Sequence, residues 1–168
     1  VVVNAGQPQR QRGGSEPATC LIGPTTDIKL SAGAVANFLR NGTPPLVKAI
    51  SAANVNQAVK TLALARNYIE EEGIDLYAAV NFPEYDESAR TANVNLQVFQ
   101  KRQRTDISHV LAQLQVSAQS EPGKVAGAIA NTAREAASPR RLVVSCAGPA
   151  AMLNALKAVF LSRRYLEE

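Results

Sequence analysis

Tryptophan is absent from this 168-residue chain, and the other aromatics are few: four tyrosines and four phenylalanines. A core of this composition has to be built from Ala, Val, Leu and Ile, packed closely. Histidine occurs once, at His109, and cysteine twice, at Cys20 and Cys146. Those three residues cannot make an ordinary structural zinc site, and two cysteines make no disulfide framework. Each cysteine lies in an apolar stretch and reads as a buried free thiol. An intracellular, reducing compartment is expected, with cytoplasmic, ciliary and organellar settings all compatible. No apolar run approaches the roughly 20 residues that cross a bilayer, so no membrane partner is expected. No Gly-rich phosphate loop of standard spacing occurs, and no metal-ligand constellation, so neither metal nor cofactor is expected. Charge of one sign does not dominate either. The net charge of +4 is spread as +1 over residues 1–17, +1 over 18–104 and +2 over 105–168. That balance leans toward acidic partners without the dense footprint of a strongly basic nucleic-acid binder.

What is present is 46 % apolar residues, enough for one compact domain or two small ones. The opening "VVVNAGQPQRQRGG" has no charged stretch followed by an apolar one, so it does not read as a signal peptide. The chain does not begin with Met, so either a leader has been removed or a longer polypeptide surrounds it. Residues 1–17 read as a linker or extended arm, with 1–3 fit to end a strand that packs elsewhere. "ATCLIGP" is a short strand closed by Gly23-Pro24. A helix follows, capped by Thr25 or Thr26, with Ile28, Leu30, Val35, Phe38 and Leu39 at helical spacing. "NGTPP" ends it. "LVKAIS" is a second strand, and Ser51 or Asn54 caps a helix carrying Val55, Val59, Leu62 and Ile69. "DLYAAVNF" and "ANVNLQVFQ" then form a hairpin around a polar loop, the second strand alternating Val94, Leu96 and Val98 against Asn93, Asn95 and Gln97.

The order then restarts. "VLAQLQVSA" is a strand, Ser120 caps a helix with Pro122 in its first turn, "SPRRLVVSCAG" holds a strand, and "PAAMLNALKAVFLSRRYL" is a helix. The two rounds share residues. Ala32-Gly33-Ala34, Ala36-Asn37 and Arg40 recur as Ala126-Gly127-Ala128, Ala130-Asn131 and Arg134, 94 residues on. "AVKTLALARNYI" (58–69) matches "ALKAVFLSRRYL" (155–166) at an offset of 97. The change falls in the loop around Ser138-Pro139, as duplication predicts. The fold class expected is α/β, of α+β sandwich type, with units at 18–104 and 105–168. The first is β-α-β-α-β-β; the second lacks the closing hairpin.

"VSAQSEPGKVAGAIANTAR" and "ISAANVNQAVKTLALARNYI" resemble the stage V sporulation protein S family, related to the Alba superfamily. The second copy carries the Val-Ser-Ala strand and Val-Ala-Gly-Ala helix; the first carries the Asn-Gln-Ala-Val-Lys helix. The resemblance implies Alba-like units, which often pair as dimers and of which many bind DNA or RNA. Two copies in tandem would form that pair within one chain, or the chain would belong to a larger complex. Alba contacts come from the loop ahead of the second helix and from the closing hairpin. The matching residues are Ser51, Asn54, Asn56, Gln57 and Lys60, and Arg90 in the hairpin.

The start of the second helix offers free N–H groups to a phosphate, and Lys60 adds charge. Equally, it is an ordinary capped helix. Lys101, Arg102 and Arg104 form one basic cluster, Arg140-Arg141 another, Arg163-Arg164 a third; each suits phosphate or a solvated element end. In the second copy the matching stretch "AGPAAMLNALK" is apolar around Met152 and Leu153, which suggests a protein contact. Asn37 and Asn131 suggest a shared structural hydrogen bond. No catalytic arrangement around His109 is evident, and no pocket-forming set of titratable groups emerges, so no enzyme is expected. The leading function is nucleic-acid binding, RNA or DNA, through phosphates. The alternative is a structural subunit that meets an acidic protein surface in an assembly such as an organellar ribosome or ciliary microtubule. One stripe through Lys60, Arg90 and Lys101–Arg104 favours the first; scattered charge beside an apolar surface at Met152 favours the second.

Overall fold

The computed structural model describes residues 2–3, 17–102, 110–135 and 141–167. Residues 1 and 4–16 of the linker or arm expected over 1–17, His109, Arg104, Arg140 and the side chain of Arg141 fall outside what is described.

The elements in chain order are β1 (Val2–Val3), β2 (Thr19–Ile22), α1 (Ile28–Arg40), β3 (Leu46–Ile50), α2 (Ala52–Tyr68), a short 3-10 turn at Glu70–Glu72, β4 (Asp75–Asn81), β5 (Asn93–Lys101), β6 (Val110–Val116), α3 (Pro122–Arg134), β7 (Arg141–Cys146) and α4 (Pro149–Glu167). This is the expected mixed α+β chain of two units. The first sheet has the order β2-β3-β5-β4, with β2 parallel to β3 and the other pairs antiparallel. The second has the order β1-β7-β6, with β6 parallel to β7. Its third strand comes from the start of the chain: Val2 faces Val143 and Val3 faces Leu142, antiparallel. β1 thus lies against β7 where β5 lies against β3.

Local geometry repeats between the units. Thr26 and Ser120 hydroxyls accept from the N–H groups of Gly23 and Ser117, at 2.8 and 2.9 Å. Sequence alone makes both residues helix caps; instead each hydroxyl closes the turn before a helix. The α1 cap is Asp27, whose Oδ1 accepts from Lys29 and Leu30 N–H, and Glu121 stands at the start of α3 without a side-chain cap bond. Arg40 Nη2 donates to the Tyr68 carbonyl at 3.0 Å, and Arg134 Nη2 to the Tyr165 carbonyl. Each ties the end of a unit's first helix to the end of its second. Asn37 Oδ1 accepts from Arg40 Nη1 at 3.0 Å, a structural role for that residue.

Ala, Val, Leu and Ile supply most of the core, as the composition demands, and one buried cluster spans both units. Small residues of α2 (Ala58, Ala65) and α4 (Ala151, Ala155, Ala158) are fully buried or nearly so. They let helices approach sheet and helix closely, and α2 packs on α4. Two expectations give way to this packing. Leu30, an inward position by spacing, is exposed, because the buried stripe of α1 runs through Ala32, Val35, Ala36 and Leu39. The two cysteines are free but only half-buried; burial raises both thiol pKa values, so thiolate is scarce. No helix among the described residues is long and apolar enough to cross a membrane.

Candidate nucleic-acid interface

The register of the first sheet decides which candidates meet. Ile50 at the end of β3 faces Asn93 at the start of β5, while Asp75 faces Lys101 at the other end. Ser51, Asn54, Asn56 and Gln57 follow β3, and Arg90 precedes β5. They share one end of the sheet, joined by Ser51 N–H donating to the Ala92 carbonyl at 3.3 Å. Lys101 and Arg102 sit at the opposite end. Nine residues of β5 span about 27 Å at the usual strand rise. Arg90 and the Lys101–Arg102 pair therefore lie at opposite ends of the sheet and do not share a single stripe.

At the first end, Ser51 is the only described non-glycine residue with positive φ, at 80°. This turn aims the chain from β3 into α2. Its Oγ accepts from Asn54 N–H at 3.4 Å, capping the helix. Asn54, Asn56 and Gln57 are half-buried, and Gln57 Oε1 is enclosed with no donor among the described residues. Lys60 and Arg90 are exposed. At the far end Lys101 already serves a carboxylate. Asp75, 1 % exposed, takes a bidentate pair from Arg66 (Nε–Oδ1 2.5 Å, Nη2–Oδ2 3.1 Å) and has Lys101 Nζ at 3.5 Å. A buried carboxylate requires such partners, which makes Lys101 structural.

The hairpin loop that carries Arg90 is held by a residue of the second unit. Lys157 is 1 % exposed and its Nζ donates to the carbonyls of Asp86, Glu87 and Ala89, at 2.6, 2.9 and 2.7 Å. Burial pushes its pKa down, opposed by the charges of Asp86 and Glu87. Around it Phe82, Tyr85 and Phe160 pack edge to face and tilted, with centroids 5.3–5.8 Å apart. Glu87 Oε1 accepts from Gly123 N–H, 3.1 Å away in the first turn of α3. Arg90 is thus presented by an anchored loop. Lys157 is missing from the candidates that sequence suggests, although a signal is there: three of its four helical neighbours at three and four residues are Leu153, Phe160 and Leu161.

The protein-contact candidates sit elsewhere than expected. Leu153 is 2 % exposed and belongs to the core, so no partner can touch it. Met152 is half-buried, its Sδ 3.8 Å from Cys146 Sγ. Apolar residues at this point of α4 pack inward because the helix is covered by α3 and α2.

Nothing among the described residues groups three His, Cys, Asp or Glu side chains as metal ligands. The site's chemistry is main-chain N–H, amide and cation, suited to phosphate and base edges. A family model described as stage V sporulation protein S matches the chain over residues 19–101 and 112–168.

Proposed function

Because the chain belongs to the stage V sporulation protein S family, whose Alba-like fold suggests a small nucleic-acid-binding or regulatory domain, we propose that it is a non-enzymatic module of two tandem Alba-like units that binds RNA or DNA through phosphates. The units, 18–104 and 105–168, pair within the chain through α2 and α4. The observation that carries this reading is the junction of Ser51 with Ala92. It unites the segment ahead of α2 with the closing hairpin, the two places from which Alba-like domains reach nucleic acid. Exposed Arg90 supplies charge there, exposed Lys60 adds it about two turns along α2, and Lys157 keeps the loop in place.

Fluorescence anisotropy with single-stranded RNA and duplex DNA across a salt series tests it. Affinity should fall linearly in log–log form, and Lys60→Ala and Arg90→Ala should each reduce the slope by about 0.7–0.9. Absence of binding even at low salt overturns the reading.

A further inference from the structure

The first sheet has a second face, away from its helices. Register sets its residues in rows: Leu21, Lys48, Asn95 and Asn81 across all four strands, and Phe99 beside Tyr77 at one end. The opposite face carries Val47, Val94, Leu96, Val98 and Val80 and is buried under the helices. On the open face Leu21 is 73 % exposed and Ile50 63 %, unusual for strand residues of this size. Tyr77 and Phe99 stack on each other with centroids 5.1 Å apart and planes 16° apart, and Tyr77 is exposed. Asn95 Oδ1 is enclosed in the middle of the face with no donor from the described residues.

Among the described elements α4 reaches this face, at the β4 edge. Its last turns and the strands enclose a cleft of about 270 Å³ lined by Ala79, Asn81, Gln97, Arg163, Arg164 and Glu167. The cleft therefore carries two arginines, and Lys48 lies on the same sheet face, two strands away from β4. Glu167 is the one carboxylate among the described residues lining the cleft, and Asp75 is held by Arg66.

We infer that the open face of the four-stranded sheet is a stacking platform for single-stranded nucleic acid. Bases lie on Tyr77 and the apolar Leu21 and Ile50, the exposed amide of Asn81 meets base edges, and Lys48, Arg163 and Arg164 meet phosphates. An aromatic sheet surface with amides between and cations around it matches the π-faces and charges of an unpaired strand, whereas a duplex hides its base faces. The cationic rim sets a polyanion above an apolar protein partner. This rests on the nucleic-acid reading above and adds which strand form is taken, and where.

The test is anisotropy with a labelled 12-nucleotide single-stranded RNA and a 12-base-pair duplex DNA, using the full chain. Tyr77→Ala should weaken single-strand binding roughly 5- to 150-fold, the range of one lost base stack, and leave the salt slope unchanged. Tyr77→Phe should restore it. Leu21→Glu, at a position too exposed to affect folding, should also weaken it. Arg163→Ala with Arg164→Ala should lower the slope by about 1.4. If the chain binds RNA but ignores Tyr77→Ala and Leu21→Glu, the platform is wrong and the nucleic-acid reading stands. Duplex bound as tightly as single strand likewise overturns the platform alone. If neither probe binds, both fall. A concentration-dependent dimer in sedimentation that Leu21→Glu abolishes overturns the platform in favour of a second copy of this chain.

Discussion

Lys60 and Lys157 stand at matching points of α2 and α4, yet one is exposed and the other is 1 % exposed. Arg66 and Arg163 show the reverse. Arg66 neutralises buried Asp75 in its own unit, while Arg163 lines an open cleft. In each pair the surroundings differ through the hairpin. The first unit has β4 and β5 behind its second helix, so Arg66 finds Asp75 at the start of β4. The same hairpin's loop folds over α4, so Lys157 finds its carbonyls there. One hairpin thus assigns a structural role to one member of each pair and leaves the other for solvent or ligand. A repeated residue is not a repeated role.

The largest effect should come from breaking the Lys157 clamp. Lys157→Met keeps the aliphatic bulk but strands three loop carbonyls, costing about 2–4 kcal/mol in urea unfolding, since bonds to a charged donor are each worth roughly 1.5–3 kcal/mol. Lys60→Met should change stability by no more than about 0.5 kcal/mol. Equal effects of the two would erase the contrast. Next comes Arg66→Ala, which leaves Asp75 with Lys101 alone and should cost about 2–4 kcal/mol, against about 0.5 kcal/mol or less for Arg163→Ala at its exposed site.

The aromatic neighbours of Lys157 supply a pH test. Burial, with the charge of Glu87, raises the Tyr85 hydroxyl pKa to about 12. Above the unfolded value of about 10 the native state keeps this proton while the unfolded chain loses it. Tyr85 therefore contributes stability that is intact below pH 10 and lost as pH rises toward 12. Tyr85→Phe should flatten that part of the stability profile. Lys157 acts oppositely: its lowered pKa makes stability rise as pH climbs through it toward about 10.4. The Lys157→Met variant should lose that rise. At neutral pH Tyr85→Phe should be close to neutral, because the hydroxyl is enclosed with no partner among the described residues.

The smallest effect concerns the turns into α2 and α4. Ser51 has φ 80° and Gly148 has φ 87°, at equivalent places. Gly148→Ala should cost about 1–2 kcal/mol, because an L side chain is strained there. Ser51→Gly relieves that strain but gives up the cap bond to Asn54, for a net change within about 1 kcal/mol in thermal unfolding.

Much of the architecture is readable from the chain. The alternation of β5, the Gly23-Pro24 stop and Pro122 in a first turn all act within a few residues, and all reappear in the structure. The site is less readable. The resemblance groups Arg90 with the start of α2, and register places them together. It cannot show that Lys101 belongs to Asp75, because that contact crosses from β5 to β4 and on to α2. Leu153 reads as a surface replacement only while α4 has no neighbours; packing against α3 buries it.

Composition and periodicity by themselves determined the order of strands and helices and the small-residue core, since each follows from local conformational preference and from which side of one element is apolar. Tertiary structure alone decided that the hairpin loop lies over α4, that Val2–Val3 joins β7, and that Lys157 is buried while Lys60 is exposed. Those outcomes turn on which surfaces meet across long stretches of intervening chain. Chain pattern records that a face is apolar; only packing selects what covers it.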